Sequence, residues 1–325
     1  MPAASRRTFP WGLAGLLAAY VLLAPPVFFF AALALLLFAS RPGSLREWFW
    51  FAASVALAAM WALGGTTTLA AGVTAAIGVT SAGLFLAFGL ATGWTVFRRA
   101  LTAVIVSGTV VGCWAALLGR PWPDVQASFA NTLGSMFRLQ AQAFAARGGN
   151  SALIDQLRAM AESSVKLAPY FAGFLVIGGV AGLALAARWQ EQLSGQPVGR
   201  RAAPFARFTF SDQVIWLLVA GVAVVLLAPP RIGLLGTPLR VWAANLALVV
   251  AACYLLRGFA VYRSVATRTA RAVNAVLVLI ALVFWPIAST GLMLLGLADS
   301  WIDFRRRLVT PQPEDGPDDR SNSAG

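Results

Sequence analysis

Apolar runs of about bilayer length recur along this chain and leave little room for any other architecture. They occupy residues 48–63, 67–95, 101–119, 167–187, 213–229 and 239–256. About 20 helical residues, at 1.5 Å each, cross the roughly 30 Å of hydrocarbon in a bilayer. Two further stretches are longer and interrupted by proline: 11–40 holds Pro25 and Pro26, and 272–304 holds Pro286. Of the 325 residues, 59% are hydrophobic and 11% charged, whereas soluble domains carry about 25% charge. A water-facing surface cannot be built from so little charge. The expected fold is therefore all-α: a polytopic transmembrane helix bundle of about 8–10 membrane segments, with its first and last segments broken at proline.

Missing residue types exclude several chemistries. The chain has no histidine, which removes His-based acid–base catalysis and His-ligated metal sites. Its single lysine, Lys166, follows Glu162-Ser-Ser-Val rather than a glycine-rich phosphate loop, so there is no P-loop. Cys113 and Cys253 lie far apart inside apolar runs and read as free thiols. No GxSxG, HExxH or paired catalytic aspartates occur, so no enzyme activity, cofactor or metal is expected. The net charge of +13 comes from arginines flanking apolar runs. This is a topology signal and not a nucleic-acid footprint.

If each of the six clear segments crosses once, Arg41 and Arg46, Arg98 and Arg99, the linker 188–212 and the loop 257–271 fall on one side. The positive-inside rule assigns that side to the cytoplasm of a bacterial inner membrane. The opposite loop, 120–166, carries Arg120, Arg138, Arg147, Arg158 and Lys166 against Asp124, Asp155 and Glu162. Folding the two terminal stretches at their prolines keeps both termini in the cytoplasm, with Arg6, Arg7 and Arg305–Arg307. That arrangement is preferred over single long crossings. Ser5-Arg6-Arg7-Thr8-Phe9 is similar to a twin-arginine export motif, but Pro25 blocks cleavage after Ala24. It reads as the basic flank of the first helix.

The chain then divides into N-terminal transmembrane helices (1–119), an extracytoplasmic amphipathic loop (120–166) and C-terminal transmembrane helices (167–308). An acidic tail (309–325) is expected to be disordered. In the loop, Val125, Phe129, Leu133, Met136, Phe137 and Phe144 share one helix face. Gly148-Gly149 ends that helix, and Asn150 or Ser151 caps a second one presenting Leu153, Ile154, Leu157, Met160 and Val165. The pair is expected to lie on the membrane or to roof a cavity. The Gly/Pro/Arg-rich linker 190–203 reads as flexible. GxxxG patterns at Gly89/Gly93, Gly108/Gly112 and Gly178/Gly182 predict close helix packing within the chain.

Polar groups inside membrane segments are the default functional candidates. Asn245 and Asn274 are two, and Thr66–Thr68, Thr74, Thr80 and Ser81 are further lining candidates. Asp299 and Asp303 share a helix face at i,i+4. Asp303 has Arg306 and Arg307 one turn away. Asp299 has no such neighbour and must look elsewhere. On one straight helix from Ala272 it would end roughly 40 Å from the basic loop; folded at Pro286, it reaches Arg257 or Arg263. A structural clamp is the preferred reading, and a proton or cation relay the sharper one.

Three blocks together carry a resemblance. They are Phe205-Ala-Arg-Phe-Thr-Phe-Ser-Asp-Gln-Val-Ile-Trp, the run from Leu255 through Arg257 to Val261 after Asn245, and Gly296-Leu-Ala-Asp299-Ser-Trp-Ile-Asp303-Phe-Arg305. In order and spacing they resemble the YybS-like family of bacterial membrane proteins, domain of unknown function 2232, over residues 11–308. Family members often carry Gln where Arg257 stands, which speaks against a ligand role there. The resemblance implies an N-terminal half similar to the substrate-binding membrane subunits of energy-coupling-factor transporters. Such subunits use a separate ATPase module, contacted through small residues such as Ala14, Ala18 and Ala19.

The expected function is a small-ligand-binding, transporter-like membrane subunit without its own ATPase. The alternative is a non-transport scaffold or assembly factor. Candidate ligand-binding or structural polar residues are Asn245, Arg257, Asp299, Asp303 and Arg305. The expected partners are the lipid bilayer and an ATPase module or other membrane proteins, with no nucleic acid.

Overall fold

The computed structural model describes residues 11–64, 68–201, 203–205, 208–227, 233–266, 273, 276, 280, 281 and 284–302. Arg6, Arg7, Thr66, Thr67, Asn274, Asp303, Arg305–Arg307 and the acidic tail lie outside them. Among the described residues every regular element is helical and there is no strand. The α-helices are α1 (Trp11–Leu23), α2 (Val27–Ser40), α3 (Leu45–Gly64), α4 (Leu69–Ala91), α5 (Val96–Leu117) and α6 (Trp122–Ala146). After them come α7 (Ser151–Leu167), α8 (Phe171–Ser194), α9 (Val214–Leu227), α10 (Gly233–Ala266) and α11 (Trp285–Ile302).

Among the described residues five helical stretches are long and apolar enough to cross a membrane: Leu45–Gly64, Leu69–Ala91, Val96–Leu117, Ser151–Ser194 and Pro238–Ser264. Three shorter apolar helices, Gly12–Leu23, Val27–Ser40 and Val214–Leu227, add to them. This is the expected multi-pass helical bundle. By contact the chain forms two units: Met1–Ala202 with Pro229–Asn245, and Ala203–Ala228 with Leu246–Gly325.

The first unit is built around α2. A helix apolar on every side is stable only when surrounded, and nearly all of α2 from Val27 to Leu37 is buried. It packs on α3, α4 and α8. The break before it follows from Pro25-Pro26. Neither proline has an N–H, so the last turn of α1 loses two hydrogen bonds. The Tyr20 hydroxyl lies 3.0 Å from the carbonyl oxygens of both Pro25 and Gly178, tying the break to α8. Gly178, Gly179 and Gly182 make this approach possible. A Cβ on Gly179 would stand 2.8 Å from Val104 and 3.0 Å from Phe28, and one on Gly182 would stand 2.9 Å from the Cβ of Phe28. Of the three GxxxG patterns, this one packs as expected. Gly108 and Gly112 face open space, so close packing within the chain does not explain that pair.

The amphipathic loop forms two helices with the expected stop and cap. Gly148 takes φ +68°, and the Asn150 side chain accepts from Ala152 N at 2.8 Å. The buried face differs in part from the expected one. Val125, Ile154 and Leu157 are buried, but Met136, Phe144, Leu153, Met160 and Val165 are exposed. Between α6 and α7 the expected Phe137, Ile154 and Leu157 pack with Ala141, and small residues extend the seam. A Cβ on Gly134 would lie 2.9 Å from the Ser164 oxygen and 3.3 Å from the Ala161 carbonyl. Helices that touch backbone to backbone bury alanine, glycine and serine, which leaves larger side chains at the margins.

The linker read as flexible is fastened from Gln190 to Arg201. Gly195 and Gly199, at φ +75° and +81°, turn the chain back on itself. Gln190 Nε2 donates to the Gln196 carbonyl at 2.9 Å, Arg99 Nη1 to the Val198 carbonyl at 3.1 Å, and Arg201 pairs with Glu191 at 2.7 Å. Glycine content suggested mobility; here it serves reversal.

In the second unit α10 and α11 cross at glycine. A Cβ on Gly258 would collide with Leu292 and Gly296, and one on Gly296 with Tyr254 and Gly258. Phe284 is a turn residue and α11 opens at Trp285, beside Pro286.

Gly182→Ala should destabilise the detergent-solubilised protein by about 1–3 kcal/mol, the usual cost of overpacking. Gly112→Ala should leave its unfolding midpoint unchanged or raise it slightly. Thermal unfolding of the two variants side by side checks both.

Candidate functional site

Polar side chains collect in four places, each within one unit. In the second unit, Arg257 projects from α10 and Asp299 from α11, and the glycine crossing beside them brings the two helices into range. Arg257 Nε donates to Asp299 Oδ2 at 2.9 Å, and Nη2 to the Asp299 carbonyl at 3.1 Å. Nη1 donates to Asp212 Oδ1 at 2.7 Å. The Phe210 ring lies 5.6 Å from the guanidinium carbon. Arg257 is 5% exposed and Asp299 0%, while the Asp212 side chain is 64% exposed. All three nitrogens of the guanidinium are thus engaged. The 2.9 Å contact meets the expectation that Asp299 finds its partner in Arg257. Asp212 was not singled out from sequence, although it lies in the block that carries the resemblance. Asp303 and Arg305 lie outside the described residues.

Asn245, in the first unit, works at the start of α8. The first N–H groups of a helix have no partner within it. Asn245 Oδ1 accepts from Gly173 N at 2.6 Å, and Nδ2 donates to the Pro169 and Val241 carbonyls at 2.8 Å each. Gln126 Nε2 also reaches the Pro169 carbonyl, at 3.3 Å. Asn245 therefore joins α10 to the entrance of α8. Thr74 and Thr80 return their hydroxyls to their own helix, bonding the Ala70 and Ala76 carbonyls at 2.7 Å. They line no pathway through these bonds.

The third place is an open cleft of about 790 Å³ between the start of α4 and the outer flank of α6. Thr68, Arg120, Asp124, Ser128, Asn131, Thr132, Ser135 and Arg138 supply its polar lining. Ser128 Oγ accepts from Ala70 N at 3.1 Å and so fixes α6 against α4. Thr132 and Ser135 donate to the Ser128 and Thr132 carbonyls at 2.8 Å, which leaves their oxygens free to accept. Asn131, Arg120 and Arg138 make no hydrogen bond through their side chains among the described residues. The expectation for this amphipathic helix rests on its apolar face. The signal was on the other one, where Asp124, Ser128, Asn131, Ser135 and Arg138 recur at helical spacing.

The fourth is Arg99, which sequence reading treated only as a topology marker. Its side chain is 1% exposed, against the Phe85 ring at 4.8 Å and beside Gly89 near the end of α4.

A family model described as a predicted membrane protein (DUF2232) matches residues 13–300. The chain belongs to this family. The match runs through both units, and includes Asn245, Arg257 and Asp299. No curated protein and no solved structure matches. Family membership and the apolar helices together establish a multi-pass membrane protein.

Replacing Arg257 by Met leaves Asp299 buried without its counter-charge and should cost about 3–5 kcal/mol. The double variant Arg257→Met/Asp299→Leu should recover much of that loss. Asp212→Asn, at an exposed carboxylate, should cost less than about 1 kcal/mol. Denaturant unfolding of the three variants in detergent tests this ranking.

Proposed function

We propose that this family member is an inner-membrane subunit that binds a small polar ligand at the cleft between α4 and α6. Both termini lie in the cytoplasm, and any pumping draws on a separate ATPase module. The observation that carries this reading is the concentration of polar groups in one concavity of a chain that is 11% charged. Ligand pockets commonly measure about 300–1,000 Å³ and fix orientation with a few polar groups. Arg120 and Arg138 favour a ligand bearing a carboxylate or phosphate, which guanidinium groups hold with two parallel hydrogen bonds. The hydroxyl oxygens and Asn131 complete the recognition of a polar molecule.

In this arrangement α6 is a wall of the site, α7 supports it through the Gly134 seam, and the cleft opens on the extracytoplasmic side. The Arg257–Asp299 pair supports a structural role, because a coupling carboxylate must release its partner to carry a proton. The protein is accordingly proposed not to be an enzyme or a carrier.

Native mass spectrometry of the full-length protein, released from detergent, is the test. The expected result is a small bound mass that is lost in Arg120→Ala/Arg138→Ala while the unfolding midpoint stays within a degree or two. A panel of carboxylates and phosphates should then shift the wild-type midpoint and bind the double variant at least tenfold more weakly, about 1.4 kcal/mol. An empty, stable protein that responds to none of them and captures only membrane-protein partners would replace this reading with the scaffold.

A further inference from the structure

Arg99 poses an electrostatic problem that the proposed cleft does not address. Its guanidinium is 1% exposed and belongs to no ion pair among the described residues. Among the described residues the guanidinium makes one hydrogen bond, from Nη1 to the Val198 carbonyl at 3.1 Å, and buried Nε makes none. Burying a cation is unfavourable unless an opposite charge and hydrogen bonds compensate it. The Phe85 face at 4.8 Å and the carboxy-terminal turn of α4 at Gly89 offset part of this. Arg99 also occupies the first turn of α5, where the helix dipole disfavours a cation and favours an anion.

A chamber of about 10 Å³ adjoins the guanidinium, lined among others by Gln190, Glu191, Val198 and Arg200. Glu191 is not the missing counter-charge. Its carboxylate is already taken by Arg188 at 3.1 Å and Arg201 at 2.7 Å. The chamber wall, which Arg99 and Arg200 line together, is thus cationic overall.

We propose that this chamber binds one small inorganic anion of halide size, chloride being the natural candidate. The volume sets an upper limit on size, since about 10–15 Å³ on this measure is the least that holds one water, and only a monatomic anion comes near it. Phosphate and sulfate are too large while the linker is docked. Residues 197 to 200 form one wall, held by the turn at Gly199. Filling the chamber therefore stabilises the docked linker, and the linker in turn retains the anion.

The test uses the full-length protein in detergent, with chloride or bromide titrated against gluconate at constant ionic strength. The expected result is a saturable rise in unfolding temperature and slower tryptic cleavage at Arg200 and Arg201. Arg99→Gln should abolish both effects, whereas Arg46→Gln, at an exposed arginine, should keep them. Equal behaviour in gluconate, or a halide effect undiminished in Arg99→Gln, overturns the site. Should Arg99→Gln fail to fold, crystals of the wild-type protein grown in bromide decide the matter. An anomalous peak beside the Arg99 guanidinium supports the site, and its absence, or a water there, overturns it.

Discussion

A polar group removed from water in this chain has almost no polar neighbourhood to fall back on, and that constraint shapes the whole molecule. Backbone groups are satisfied within helices, because lipid offers no substitute. Side chains must then find partners on other helices, and where they do, helices bend or cross. Arg257 and Asp299 hold α10 and α11 together where Gly258 and Gly296 let their backbones meet. Asn245 supplies the acceptor missing at the start of α8. Tyr20 reaches the carbonyls at the Pro25-Pro26 break and at Gly178. Each of these contacts joins segments that hydrophobicity alone would leave free to slide, since lipid tails are as apolar as the helices themselves.

Much of this was legible in the residues. Apolar run lengths gave the helices, Pro25 and Pro26 gave the break between α1 and α2, and Asn150 with Gly148 gave the turn between α6 and α7. The need of Asp299 for a distant cation led to Arg257, because helix geometry leaves so few places for its partner. What stayed hidden depends on contacts without a sequence period. The seam at Gly134, Ala161 and Ser164 carries no large apolar side chains, so a search for them looks past it. The docked linker was read from composition, yet glycine supplies tight reversal as readily as mobility. Arg99 was hidden by its position, because an arginine at the end of an apolar run ordinarily sits in water.

The two unexplained polar features of the first unit stand at opposite ends of one helix. The cleft adjoins Ala70 through Ser128, and Arg99 adjoins Gly89; at 1.5 Å per residue these points are roughly 28 Å apart along α4. That separation is close to the thickness of a bilayer's hydrocarbon core. A helix of this length is long enough for the cleft and the arginine-rich linker to lie at opposite interfaces. On the proposed topology the positive-inside tendency would orient the pair, with the proposed ligand cleft outside and the linker within.

The placement of the cleft is the central claim, and one measurement addresses it directly. Single cysteines at Asn131→Cys and Gln196→Cys, in a background with Cys113 and Cys253 replaced by serine, can be labelled on intact bacteria with a membrane-impermeant maleimide. The account predicts that Asn131→Cys is modified from outside and Gln196→Cys only after lysis. Labelling of Gln196→Cys on intact cells, with Asn131→Cys protected, would contradict it.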